Sequence, residues 1–205
     1  MWTFWRHSLP ATSRFWYTGV GEIQAVHDIT ECLYHYKRRV RLVRAGLRAW
    51  DQARDRNLIF LGAPDENALL NGLPPFREFN FKLQQPPKGR PGRVAIVDEH
   101  PAAQGPASYF AAEQPSLTQD YALIALVPAF RPNRRALILA GTTTYGTQAA
   151  AEFVCEEQSL ATLLSRLDAG KLSEVPDFEA LLSVQIEDKF PVASKLLSVR
   201  VHKSN

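Results

Sequence analysis

Cysteine is scarce in this 205-residue sequence, which holds only Cys32 and Cys155. Neither has a CxxC neighbour or an adjacent His pair, so no disulfide framework or zinc site is expected, and a reducing cytoplasm is the compartment that fits. Long apolar runs are missing too. The longest, YALIALVPAF at 121–130, is interrupted by a proline and is too short to span a bilayer, which takes about 20 residues. The opening MWTFWRHSLP lacks the apolar core of a signal peptide. The sequence contains no GxxxxGK[ST] loop, no GxGxxG fingerprint and no GxSxG elbow, so P-loop, dinucleotide and serine-hydrolase signatures are excluded. Charge of one sign is not in large excess either, the formal net charge being +3. The excess is uneven, with ten Lys/Arg against five Asp/Glu in residues 1–57 and fourteen against sixteen in the rest.

What is present is the composition of an ordinary globular chain, 45% hydrophobic and 22% charged, long enough to bury a sizeable core. Residues 1–18 hold three of the four tryptophans without a clear period. They read as an irregular aromatic segment with one short strand at RFWY, suited to covering an apolar surface of this chain, a second copy or a partner protein. From Gly21, Ile23, Val26, Ile29 and Leu33 recur at helical spacing. KRRVRLVRA then alternates as a half-exposed basic strand. It could meet nucleic acid or a phosphate through its cations, but no helix-turn-helix pattern accompanies it, and a charge-protected edge strand is the reading preferred to nucleic-acid binding.

LIFL at 58–61 reads as a strand that turns at Gly62 into an acidic helix start around Asp65, Glu66 and Asn67. More than half of the fourteen prolines fall in 74–119, which reads as loops and antiparallel strands inserted into the sheet. DYALIALVPAF and RRALILAG read as two buried strands at the sheet's centre, with helices on both faces. A helix pair follows, the second capped by Ser159 and ended by Gly170. FEALLSVQIED and ASKLLSVRVHK close the chain as antiparallel strands turning around Lys189 to Pro191. The expectation is one α/β domain over 19–205, a Rossmann-like three-layer fold with a mixed, partly parallel sheet, antiparallel C-terminal strands and the 74–119 insertion.

The candidate site follows from two strand-to-helix turns. In LAGTTTYGTQAAAEF a strand delivers the chain to Gly141, Thr142, Thr143, Thr144 and Thr147 offer hydroxyls, and Gly146 allows close backbone approach. Free amides at a helix N-terminus then favour an anion, phosphate above all. The same residues also fit a simpler role, with Thr144 or Thr147 capping a tightly packed helix. The turn LGAPDEN adds Gly62, Asp65 and Asn67. The two loops would lie side by side beyond the carboxyl ends of parallel strands, where such sheets bind ligands. Catalytic signals are sparse. Asp98 and His100 could share a strand face and do acid–base work or hold a metal, but a solvated strand end is the reading preferred. The acidic neighbours of Cys155 in CEEQ would raise its thiol pKa. His27 and His35, eight residues apart, are too distant to share a metal, and neither metal nor cofactor is expected.

Taken together, LIFLGAPDEN and LILAGTTTYGTQAAAEF make the chain resemble Rossmann-like sensor and effector domains of bacteria, loosely including the SLOG group of nucleotide-related proteins. The resemblance implies a glycine-threonine turn opening a helix with a nearby acid, here Gly146, Thr147 and Glu152. The function expected is a regulatory or sensor module for a small phosphorylated or nucleotide-like ligand, more binding protein than enzyme. The alternatives are a nucleotide-processing hydrolase or glycosyl transferase, with Glu152 or Asp98 as the carboxylate, and a protein-interaction module without a small ligand.

Overall fold

Two strands with unbroken apolar character organise the molecule. In the computed structural model, which describes residues 19–43, 53–64, 67–74, 76–84, 93–113, 116–169 and 175–202, β6 (Leu117–Pro128) and β7 (Arg135–Gly141) pair antiparallel from Ala122 opposite Gly141 to Pro128 opposite Arg135. Successive side chains on a strand point to opposite faces. Ala122 and Ile124 accordingly enter one core, and Leu123, Ala125 and Val127 enter another. Both faces of these strands are covered, which is why the sequence reads there as a continuous apolar run.

Strands β1 (Leu58–Leu61), β8 (Phe178–Glu187) and β9 (Phe190–Val201) complete a mixed sheet of order β1-β7-β6-β8-β9, and the short β5 (Ala112–Glu113) also pairs with β6. Among the described strands only β1 and β7 run parallel; β5–β6, β6–β8 and β8–β9 are antiparallel. The closing hairpin turns through Asp188 and Lys189, both at positive φ (48° and 68°), with Glu187 opposite Phe190. Two left-handed residues give the backbone twist that a two-residue hairpin needs.

Among the described residues one sheet face carries three helices: α1 (Val20–His35), α2 (Thr144–Cys155) and α3 (Glu157–Arg166). Ala149, Ala150 and Ala151 of α2 are fully buried, and their small side chains bring its backbone close to the sheet. Phe153, Ile29, Leu163 and the β8 residues Phe178, Ala180, Leu182 and Val184 fill the space between. Among the described residues the expectation of helices on both faces is not met. Among the described residues the second face is covered by a 3₁₀ turn (Ala68–Gly72) and a separate antiparallel sheet of β2 (Phe79–Gln84), β3 (Arg93–Asp98) and β4 (Ser108–Tyr109). Leu70, Leu73, Phe79 and Ile96 pack there on Leu123, Ile138 and Leu181. A mixed α/β fold is therefore seen, and the 74–119 segment contributes that separate small sheet, with only β5 and β6 joining the large one.

Other local expectations are corrected. Residues 38–43 run as irregular chain, not strand. Val40, Leu42 and Val43 all stay exposed, so alternation there buries no face. Asn67 opens the 3₁₀ turn, its side chain accepting from the Leu69 amide. The cap of α3 is Glu156, not Ser159, whose hydroxyl instead donates to the Glu156 carboxylate. Gly170 and RFWY lie outside the described residues.

The helix ends explain themselves without glycine. Beyond α1, Lys37 sits at φ 56°, its amide donating to Tyr34 O while Arg38 N donates to Leu33 O. Beyond α3, Asp168 sits at φ 53°, with Asp168 N on Ser165 O and Ala169 N on Leu164 O. Both are the paired 6→1 and 5→2 bonds that close a helix through one left-handed residue.

Candidate functional site

Because β1 is parallel to β7, with Leu61 opposite Leu139, the turns after both strands leave the same end of the sheet, as the sequence implied. At that end the turn after β7 has a carboxyl group against it already. Asp120, fully buried at the start of β6, lies just beyond the Ala122–Gly141 pair and so overhangs the point where β7 becomes α2. Its carboxylate accepts from the Gly146 and Tyr121 amides, each at 2.7 Å, and from the Thr142 and Thr143 hydroxyls. Burial pushes the carboxyl above its ordinary value, although all four bonds favour the charged form.

Every other described residue of this turn has a partner within the chain. Thr143 is the α2 N-cap, its hydroxyl accepting from Tyr145 N. Thr147, fully buried, accepts from Gly141 N at 3.0 Å. Thr144 Oγ accepts from Gly21 N at 2.9 Å and donates to Glu22. A Cβ at Gly146 would stand 2.7 Å from Asp120 Oδ2 and 2.8 Å from Tyr121 O. Gly146 is thus required by the buried carboxylate lying against it. In the neighbouring turn Gly62 has φ 92° and donates its amide to Leu139 O. Asn67 is buried, and Asp65 lies outside the described residues.

A second buried carboxylate repeats the device on the other face. Glu179, in β8, accepts from the Arg77, Glu78 and Phe79 amides at 2.8, 3.2 and 2.9 Å and meets His202 Nε2 at 2.8 Å. Beside it Arg200 grips Asp98 with two bonds of 2.6 and 2.7 Å, reaches His100 O and lies 4.6 Å from the centre of the Phe79 ring. Burial alone would raise the Asp98 carboxyl, but the bonds from Arg200 and the His100 amide, with the charges of Arg200 and His100, outweigh it and hold it below its ordinary value. Asp98 therefore pins β3 to β9, a role closer to scaffold than to acid–base chemistry. His100 contacts Glu78 at 3.2 Å.

The open concavity lies elsewhere. Gly21 meets Thr144 near the N-termini of α1 and α2, and further along both, Asp28 O midway down α1 accepts at 3.6 Å from Cys155 Sγ at the C-terminal end of α2. The two helices therefore run parallel. Their positive ends gather the buried Glu22 and Asp120; one Glu22 oxygen has no partner among the described residues. Their negative ends frame a groove of about 1170 Å³ whose walls include Asp28, Glu31, Tyr34, Lys37, Arg38, Arg39 and Glu152. The cations at 37–39 follow the C-terminus of α1, where the helix dipole favours them. Tyr34 is 79% exposed. Burial raises the Glu152 carboxyl above its ordinary value; the Gln148 side-chain amide, at 2.7 Å, opposes this and the charge of Asp28 adds to it. Of the residues expected at a site, only Glu152 is in the groove. His35 lines it but stacks edge-on against Tyr36, and His27 pairs with Glu31 on the surface.

The signal for Asp120 was an acid interrupting a fully buried strand, and Glu179 stands in the same way inside FEALLSV. Among the described residues no three His, Cys, Asp or Glu side chains converge as a metal site, and no helix there is long and apolar enough to cross a membrane. No protein-family model, curated protein or solved structure matches the chain.

Proposed function

We propose that the chain is a regulatory or sensor module binding a small phosphorylated, nucleotide-like ligand, and that the ligand occupies the groove between α1 and α2 instead of the turn at Gly141–Thr147. The carrying observation is the arrangement on one rim. Exposed Tyr34 lines the groove together with the carboxylate of Glu31 and the cations Lys37, Arg38 and Arg39. An aromatic face stacks a base, carboxylates accept from its amino groups, and guanidinium groups grip a phosphate. The turn is disfavoured because a ligand there would have to displace Asp120 from the α2 amides. A Rossmann-like kinship belongs to this proposal as well, supported by the strand–turn–helix unit β7–α2 beside the parallel strand β1.

A thermal-shift series with nucleotides and sugar phosphates tests it. A ligand at a hundredfold over its Kd stabilises by about 2.7 kcal/mol. The Arg38→Ala/Arg39→Ala and Tyr34→Ala variants should lose the shift while keeping the ligand-free transition. An unmoved transition at millimolar concentrations of every compound refutes the proposal.

Glu152 supports one competing reading, a nucleotide-processing enzyme. It lines the groove, and a carboxyl with a raised pKa suits general acid catalysis. That reading requires product formation from a bound nucleotide, abolished by Glu152→Gln with binding retained.

A further inference from the structure

Cys32 and Cys155 are the chain's two cysteines, they are 123 positions apart, and both are reduced and half-buried. The contact between α1 and α2 brings them together by register. Gly21 and Thr144, which meet at 2.9 Å, are separated by the same 123 positions. Cys32 lies eleven residues after Gly21, and Cys155 eleven after Thr144. Eleven residues make about three helical turns and about 16 Å of rise on each helix, so on parallel helices the same pair of faces meets again at the two cysteines.

The sulfur positions agree with this. Cys155 Sγ lies 3.6 Å from Asp28 O, and Asp28 precedes Cys32 by one helical turn. A helical side chain leans over the turn N-terminal to its own Cα, which directs the Cys32 sulfur toward that same carbonyl. The Cys32 thiol is near enough to Cys155 to act on its electrostatics, and both line the open groove.

We propose that Cys32 and Cys155 form a dithiol that a low-molecular-weight disulfide, such as oxidised glutathione, converts into an intramolecular disulfide stapling α1 to α2. Burial, Cys32 and the charges of Asp28 and Glu152 push the Cys155 thiol up, which favours Cys32 as the first to attack. Its thiolate attacks one sulfur of the glutathione disulfide, breaks the S–S bond and releases one glutathione thiolate. Cys155 then gives its proton to solvent base, attacks the Cys32 sulfur of the mixed disulfide and releases the second thiolate. The protein dithiol is oxidised by two electrons, and one glutathione disulfide is reduced to two thiols. The staple would fix the wall of the groove whether or not the ligand reading holds.

The test incubates the full chain with oxidised glutathione and titrates thiols under denaturing conditions. The free thiol count should fall from two per chain to none, with a mass decrease of two hydrogen atoms, no dimer on a non-reducing gel, and recovery by dithiothreitol. Cys155→Ser should instead stop at a stable glutathione adduct on Cys32. Cys32→Ser, lacking the partner thiol, should form no intramolecular disulfide and stop at a glutathione adduct on Cys155. A wild-type protein that keeps both thiols, accumulates lasting glutathione adducts or crosslinks only between chains overturns the proposal.

Discussion

If the Asp120 carboxyl group is what satisfies the amides at the α2 N-terminus, removing it should cost an amount set by the amides it leaves behind. In Asp120→Ala the Gly146 and Tyr121 amides lose their acceptor. A buried donor without a partner costs about 1–3 kcal/mol, so the loss should be about 2–6 kcal/mol. The half-buried hydroxyls of Thr142 and Thr143 can rotate to other partners and add little. In Asp120→Asn the new NH₂ group must face one of the two amides while its oxygen serves the other, and the hydroxyls can turn to accept. One amide is then orphaned, at about 1–3 kcal/mol, half the alanine cost. Urea unfolding read by midpoint at constant m-value measures both.

Two further readouts follow from the same carboxylate. Formate, which matches the deleted group, should restore about 1.4 kcal/mol to Asp120→Ala at ten times its Kd, and should do nothing for wild type or Asp120→Asn, whose nests are filled. Because burial raises the folded pKa of Asp120, its contribution to stability is complete below the ordinary carboxyl value and is lost as pH rises through the raised folded value. That segment of the pH profile should vanish in Asp120→Asn. Equal costs for Asn and Ala, or a cost below about 1 kcal/mol for Ala, would refute the idea that Asp120 satisfies these amides.

Two more perturbations probe the scaffold. Asp168→Gly should stabilise the protein by about 1 kcal/mol in thermal or urea unfolding, since it removes a strained left-handed Asp and an anion from a helix C-terminus; Lys37→Gly should gain less, because it also deletes a favourable cation. Arg200→Met should cost about 3 kcal/mol by stranding the buried Asp98 carboxylate, measured by urea unfolding at pH 7. In wild type the lowered Asp98 pKa gives stability that is present above the ordinary carboxyl value and lost as pH falls through the lowered one; in Arg200→Met that loss should no longer appear.

The elements that reveal themselves in the sequence are those whose burial is written into local periodicity. Strands β6, β7, β8 and β9 and helices α1 and α2 carry a clean period of two, an unbroken apolar run or a period of 3.6. The layering did not show, because whether a sheet face is covered by helices or by a second sheet depends on contacts such as Phe79 and Ile96 on Leu181, which are distant in sequence. The turn at Gly141–Thr147 was legible as a helix start that offers amides and hydroxyls, but the Asp120 carboxyl that accepts from them was not. Glycine, threonines and a helix start announce what a nest accepts, whereas the acid that fills it stands twenty-six positions from Gly146. The thiol pair was hidden for the same reason, since a spacing of 123 positions becomes a contact only once α1 and α2 run parallel in register.

The pinning of the small sheet by Glu179 and Arg200 has a consequence for how the chain is made. Residues 77–79 and Asp98 find their partners about 100 positions later, on β8 and β9. At about 5–20 residues per second of synthesis, these emerge from the ribosome roughly 5–20 s after them. Through that interval β2 and β3 can pair with each other as a hairpin, but Phe79 and Ile96 have neither Leu181 to pack on nor a carboxylate to close the amides beneath them. The nascent chain therefore carries an unfinished apolar surface that only its last strands can cover, which makes this stretch the natural target for a chaperone and truncation before β8 the most direct route to aggregation.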